Sequence, residues 1–141
     1  MSDVHSKETR SFNMSRIRSK DTKPELLVRK HLFAAGFRYK LHDKKLPGKP
    51  DIVLPKYRTV IFVHGCFWHG HSGCRYFVVP KTRTDWWLNK INSNIGKDAG
   101  ASAALRVMGW QVIEIWECGL KKAVFHQTMS SISENLAMRA K

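Results

Sequence analysis

The sequence predicts an α/β fold, a central mixed β-sheet flanked by helices, and three observations predict it. Apolar runs of strand length and stretches of helical spacing follow one another in the order helix, three strands, helix, strand, helix. Two of the apolar runs, 60–63 and 110–116, are each followed closely by a cysteine, Cys66 and Cys118. A chain of 141 residues, 43% hydrophobic and 11% aromatic, can bury one ordinary core, which favours a single domain.

Residues 1–20 are polar and basic, with Arg10, Arg16, Arg18 and Lys20 set around Phe12, Met14 and Ile17. They read as an arm that orders on a partner, ahead of a single domain over residues 21–141. Thr22 can cap the first helix, Pro24 suits its first turn, and Glu25 stands at the capping-box position. Leu27, Val28, His31, Leu32 and Ala35 recur at helical spacing until Gly36 closes the helix. Residues 37–41 read as a first strand, followed by a turn-rich link over 44–50. Residues 51–54 are a second strand, joined through the short turn 55–58 to a third over 59–64. Thr84 is expected to cap a long helix through Trp87, Leu88, Ile91, Ile95, Ala99 and Leu105, with Gly96 and Gly100 weakening its middle. Trp86 is placed in the core. A fourth strand over 111–116 and a last helix over 121–137 complete the chain, which has neither an internal repeat nor a low-complexity tract.

Lysine and arginine number 25 against 11 acidic residues, a formal charge of +14 with histidine neutral. Such a field attracts polyanions, and without a basic amphipathic helix of the interfacial kind it points to nucleic acid rather than a membrane surface. No stretch approaches the roughly 18 consecutive apolar residues of a membrane helix. Three cysteines, an odd number, argue against a disulfide framework, and the first residues lack the apolar core of a secretory signal. A reducing, cytoplasmic compartment is expected.

The densest chemistry lies in Cys66-Phe67-Trp68-His69-Gly70-His71-Ser72-Gly73-Cys74. Sulfur and imidazole ligands two to four residues apart can converge on one zinc ion, with Cys118 joining from the end of the next strand. Spacing alone does not separate His69 from His71 as the imidazole. Asp51 begins a strand after Pro50, and the hairpin can bring it to the sheet edge where His64 ends the following strand. Mg²⁺ prefers oxygen ligands, and Asp51 with a main-chain carbonyl near Val63 supplies two, leaving water and phosphate to fill the rest. The plain alternative is that Asp51 is a strand-start residue after proline. Phe67 and Trp68 are adjacent, so in extended backbone they point to opposite sides and cannot share one core. On a metal-anchored loop they can project as a wedge that unstacks a base step.

Leu46-Pro47-Gly48-Lys49-Pro50-Asp51, the run from Val60 through Gly65-Cys66-Phe67-Trp68-His69, Lys81-Thr82-Arg83-Thr84-Asp85-Trp86-Trp87-Leu88, and Gly109-Trp110 through Trp116-Glu117-Cys118 together resemble the very-short-patch repair (Vsr) endonuclease family. The likeness covers nearly the whole chain, including the arm around Asn13-Met14. It implies a restriction-endonuclease-like core and strand-specific nicking 5′ of the T in T:G mismatches, the lesion left when 5-methylcytosine deaminates. The implied partner is double-stranded DNA bearing that mismatch, met by a monomer with a functional link to a DNA cytosine-5 methyltransferase.

Residue by residue, the resemblance makes Asp51 the holder of catalytic Mg²⁺, with the main-chain carbonyl of Val63, where the family has threonine. It makes His64 and His69 the active-site histidines and associates Glu25 and Asp98 with them. Phe62 and His64 stand where nucleases of this type usually carry an acid and a lysine. The structural zinc set is Cys66, His71, Cys74 and Cys118, with Ser72-Gly73 where the family has one residue, an insertion a flexible glycine can absorb. Phe67, Trp68 and Trp87 are the intercalating aromatics, with Met14 entering from the other groove.

The chemistry agrees with the resemblance, because hydrolysis of a phosphodiester needs a deprotonated water and a neutralised phosphate, which divalent ions promote. Histidine titrates near neutrality, so His69 is expected to carry the proton, with His64 as its helper. Two other classes remain, a non-catalytic zinc-stabilised DNA-binding module and a restriction-type enzyme cutting both strands. The grouping of Asp51, His64 and His69 argues against the first, and a single site in a small chain against the second. Lys81, Arg83 and the basic arm are candidates for base readout.

Overall fold

Thr22 opens the described part of the computed structural model, which covers residues 22–139. Its side chain accepts the Glu25 N–H at 3.4 Å, and helix α1 runs Lys23–Ala34 with Val28 and Leu32 fully buried on its inner face. The first strand is shorter than its apolar run. β1 is Lys40–Leu41, because Phe37 and Tyr39 turn inward onto the core and the Tyr39 hydroxyl donates to the Arg29 carbonyl at 3.1 Å. β2 is Ile52–Leu54, so Asp51 precedes the strand instead of opening it. A 3₁₀ turn, Pro55–Tyr57, leads into β3, Thr59–His64, as the hairpin reading required.

Helix α2 spans Thr84–Val107, and here the expected cap is displaced by one residue. Arg83, with φ of 56°, is the cap residue, and Thr84 lies inside the helix with its hydroxyl donating to the Pro80 and Lys81 carbonyls. Gly96 and Gly100 are exposed and leave the helix continuous, at a propensity cost of about 1 kcal/mol each. β4 is Gln111–Trp116, and a second 3₁₀ turn, Glu117–Leu120, follows. Helix α3 is Phe125–Arg139. It starts later than expected because Val124 and Phe125 both donate to the Lys121 carbonyl, closing residues 121–124 as a turn.

The four strands lie in the order β1-β2-β3-β4, the first two pairings antiparallel and β3 with β4 parallel, a mixed sheet as expected. Alternation along the strands divides the core. Ile61 and Val63, with Ile52, Leu54, Ile113 and Ile115, face α1 and α3, where Val28, Leu32, Met129 and Leu136 are buried. Val60 and Phe62, with Val53 and Val112, face α2 at Ala101 and Leu105. Each fully buried leucine or isoleucine in these layers contributes about 1.5–3 kcal/mol. The same alternation sends Val63 and His64, the last two residues of β3, to opposite faces of the sheet. Chemistry at this strand end is therefore reached from α1 on one side and from α2 on the other.

Candidate active site and metal centre

On the α2 side, His64 is 4% exposed and its ring lies 4.1 Å, centroid to centroid, from that of His69. His69 is carried on the loop after β3, which folds back through the His69 N–H to Gly65 carbonyl and His71 N–H to Cys66 carbonyl bonds. Gly70 allows this loop to lie flat on α2. Its φ is 61°, and a Cβ there would sit 2.7 Å from Ile95 Cδ1 and 2.8 Å from Ile91 Cγ2. Asn94 on α2 holds the loop further by donating to the Trp68 carbonyl at 2.8 Å. Asp98, one helical turn on, meets His69 Nδ1 with its Oδ2 at 2.6 Å. What reads in the sequence as a surface helical position is thus part of a His64, His69, Asp98 cluster whose donor atoms lie within 4.8 Å of one another.

On the α1 side, Asp51 Oδ2 accepts the Val63 N–H at 2.7 Å, which fixes the carboxylate against the last residues of β3. Burial pushes its pKa up to about 6, opposed by that hydrogen bond and by the Arg29 charge. Glu25, 2% exposed, turns its carboxylate inward to Arg29 and to His42 Nε2, the latter at 2.9 Å. Glu25, His42 and Asp51 form a second cluster with donor atoms within 4.8 Å of one another. His42 is missing from the sequence reading. It lies outside any periodic run, and only its place between Glu25 and Asp51 in space reveals it. The Val63 side chain packs into the apolar layer between sheet and α1/α3, so an aliphatic residue suits that position.

The thiols converge as expected. Cys66, His71, Cys74 and Cys118 offer four ligand atoms within 4.8 Å of one another, a set able to hold a metal ion. In space His71 stands with this group and His69 with the other. The Cys118 N–H donates to Cys66 Sγ at 3.3 Å, tying the loop to the end of β4. Burial pushes the Cys66 thiol up to about 12, so a bound cation is what would keep it as thiolate. Ser72 and Gly73 lie in a turn closed by the Cys74 N–H to His71 carbonyl bond, in which Gly73 has φ of 74° and open space around it. Trp116, also absent from the sequence reading of the site, stacks on His71 at 4.1 Å and lies 5.0 Å from His64. One indole therefore joins the thiol cluster to the His64–His69 pair.

Beside these clusters stands an aromatic group. Phe67 and Trp68 meet edge to face at 5.3 Å, and Trp87 packs on both, 5.3 Å from Phe67 and 5.7 Å from Trp68. Trp86 is not a core residue. It is 47% exposed, since the helix position after Asp85 faces outward, and Arg83 lies over its ring at 5.0 Å. Met14 and the arm over 1–20 fall outside the described residues. Among the described residues no helix is long and apolar enough to cross a membrane.

A mixed sheet whose parallel pair ends at His64, with Asp51, His69 and Asp98 gathered around that end and a cysteine–histidine loop able to hold a metal ion beyond it, is the frame of a restriction-endonuclease-like hydrolase. The family model described as DNA mismatch endonuclease Vsr matches residues 2–75. The chain is 46% identical over 121 residues to the DNA mismatch endonuclease Vsr of Escherichia coli K12, covering 86% of this chain and 77% of that one. It is 50% identical over 133 residues to the type II nicking enzyme V.NmeAIP of Neisseria meningitidis serogroup A, covering 94% of each. It is also 51% identical over 120 residues to the type II nicking enzyme V.XorIIP of Xanthomonas oryzae, covering 85% of this chain and 88% of that one. The chain belongs to the Vsr family of DNA mismatch endonucleases.

Proposed function

We propose that this protein is a Mg²⁺-dependent, strand-specific DNA nickase that cuts 5′ of the T in T:G mismatches left by deamination of 5-methylcytosine. The observation that carries the reading is the His69–Asp98 hydrogen bond beside buried, uncharged His64 and a short step along β3 from Asp51.

Asp51 and the Val63 carbonyl are the residues that would hold Mg²⁺, and the fit rests on a buried carboxylate whose second oxygen remains for an ion. When bound, Mg²⁺ lowers the pKa of water and offsets charge on the scissile phosphate. Asp98 fixes the proton of His69 on Nδ1, which leaves Nε2 to accept a proton from the attacking water. His64, held down to about 4 by burial and by the neighbouring His69, stays neutral and packs the ring of His69 in place. These roles assign His69 to proton transfer and His64 and Asp98 to its positioning.

The Cys66, His71, Cys74, Cys118 set suits structural Zn²⁺. A tetrahedral zinc with ordinary bond lengths separates a sulfur and a nitrogen ligand by about 3.6 Å. Here His71 Nδ1 and Cys118 Sγ stand 3.5 Å apart. Such an ion would anchor the loop from which Phe67 and Trp68, backed by Trp87, enter the mismatched step. A T:G pair is easier to open than a matched one. Met14, within the basic arm 1–20, is assigned to the opposite groove. The chain acts as a cytoplasmic monomer on double-stranded DNA, downstream of a DNA cytosine-5 methyltransferase. Replacing Asp51 by alanine tests the reading: nicking of a T:G duplex is lost while binding to it is kept. Wild-type nicking by that variant contradicts it.

A further inference from the structure

His42 stands at the centre of the α1-side cluster, and nothing in the proposed chemistry uses it. Its backbone is held in the left-handed region, φ 46°, by an N–H bond to the Asp51 carbonyl at 3.2 Å. A non-glycine residue rarely stays there unless its surroundings require it. The result is that Nε2 is aimed at Glu25 Oε2, 2.9 Å away, and Glu25, His42 and Asp51 each bring one donor atom within 4.8 Å of the others. A cationic group already rests among these atoms, since Arg29 Nη2 bonds Glu25 Oε2 and lies 3.4 Å from His42 Nε2. The 2.9 Å separation equals the edge between neighbouring ligands of an octahedral ion with bonds of about 2.1 Å.

We infer that His42 is a nitrogen ligand to the active-site divalent ion, completing with Glu25 and Asp51 a mixed carboxylate–imidazole site that takes Mn²⁺ in preference to Mg²⁺. The inference rests on the reading of Asp51 as a metal-holding residue and extends it. An imidazole donor strengthens binding of transition-metal ions far more than of Mg²⁺, which favours an all-oxygen shell. An ion held by Glu25, His42 and Asp51 would displace the Arg29 guanidinium from between them, with the His42 ring carrying its proton on Nδ1. Mg²⁺ still binds, through the carboxylates, with His42 contributing little.

The test uses the zinc-loaded full chain titrated with Mn²⁺ and read by electron spin resonance, with Mg²⁺ affinity taken from competition. Wild type is expected to bind Mn²⁺ with the echo modulation of a directly bonded ¹⁴N. In both His42→Gln and His42→Asn the modulation disappears and Mn²⁺ affinity falls about tenfold or more, with Mg²⁺ affinity little changed. Two substitutions guard against one that disturbs folding, and far-UV circular dichroism confirms each fold. Modulation that survives in the folded variants, or unchanged Mn²⁺ affinity, removes His42 from the ion. In Asp51→Asn all tight Mn²⁺ binding is expected to be lost. Binding that withstands that change overturns the Asp51 reading itself, a different outcome from failure at His42 alone.

Discussion

His69 Nδ1 and Asp98 Oδ2 lie 2.6 Å apart although 29 residues separate them, one on the loop after β3 and the other on α2. In the proposed chemistry the contact sets the tautomer of His69 and gives the imidazolium formed on proton transfer a counter-charge. Two side chains of the same short loop are thereby divided between tasks, His69 to α2 and His71 to the thiols.

Asp98→Asn preserves shape and removes the charge, so the His69 ring loses both its fixed tautomer and its support when protonated. Single-turnover nicking should fall about 10²-fold, within the range general-base catalysis supplies, with binding of the T:G duplex unchanged. An undiminished rate would show that Asp98 is only a surface partner.

The Asp51 carboxyl has a folded pKa of about 6 against an ordinary 3.8, raised chiefly by burial. Without metal the folded state therefore holds a proton that the unfolded chain has released. Stability from this group is full below pH 3.8 and is lost as pH rises through about 6. Metal binding runs the other way, because it needs the carboxylate. At subsaturating Mg²⁺ the nicking rate should rise through pH about 6, and the midpoint should move to lower pH as Mg²⁺ is added. Rate profiles at two Mg²⁺ concentrations that superimpose would separate Asp51 from the ion.

Cys118→Ser removes the one member of the proposed zinc set that comes from outside the loop. Zinc content should drop below one per chain and affinity for the mismatch should fall, while far-UV circular dichroism persists. The core built on Leu32, Ile61, Ile115 and Leu136 does not include the thiols. Full zinc content together with wild-type nicking in this variant would remove Cys118 from the metal set.

Trp86 and Trp87 differ in role despite being neighbours. Trp87→Ala takes away the support of Phe67 and Trp68 and should weaken binding to a T:G duplex by about 5- to 150-fold, equivalent to the 1–3 kcal/mol of a base–aromatic stack. Trp86→Ala, at a half-exposed position whose ring meets that of Trp87 edge to face at 4.8 Å, should cost about 0.5–1.5 kcal/mol of stability and leave affinity for the T:G duplex less affected. Melting curves and a binding titration on both variants check the contrast, and equal losses of affinity would contradict it.

The elements that were legible in the sequence are those whose pattern follows from burial. β3 and β4 keep the bounds 59–64 and 111–116 because they pair in parallel along their whole length, with β3 inside the sheet, β4 at its edge and helices packed over both faces. β1 shrank because Phe37 and Tyr39 are apolar for packing, not for pairing. Thr84 looked like a cap by type, yet its hydroxyl turns back to residues 80 and 81. In the site, the cysteines were legible from spacing, but the division of His69 from His71 needed α2 to come alongside. His42 and Trp116 left no local signal, because each is recruited by a partner distant in sequence.

The central claim is tested most directly on a covalently closed circular duplex carrying one T:G pair, compared with its matched counterpart, with and without Mg²⁺. The account predicts a single nick 5′ of the mismatched T, in one strand only, and only when Mg²⁺ is present. Nicking that ignores the mismatch, cuts both strands, or proceeds without any divalent ion would contradict it.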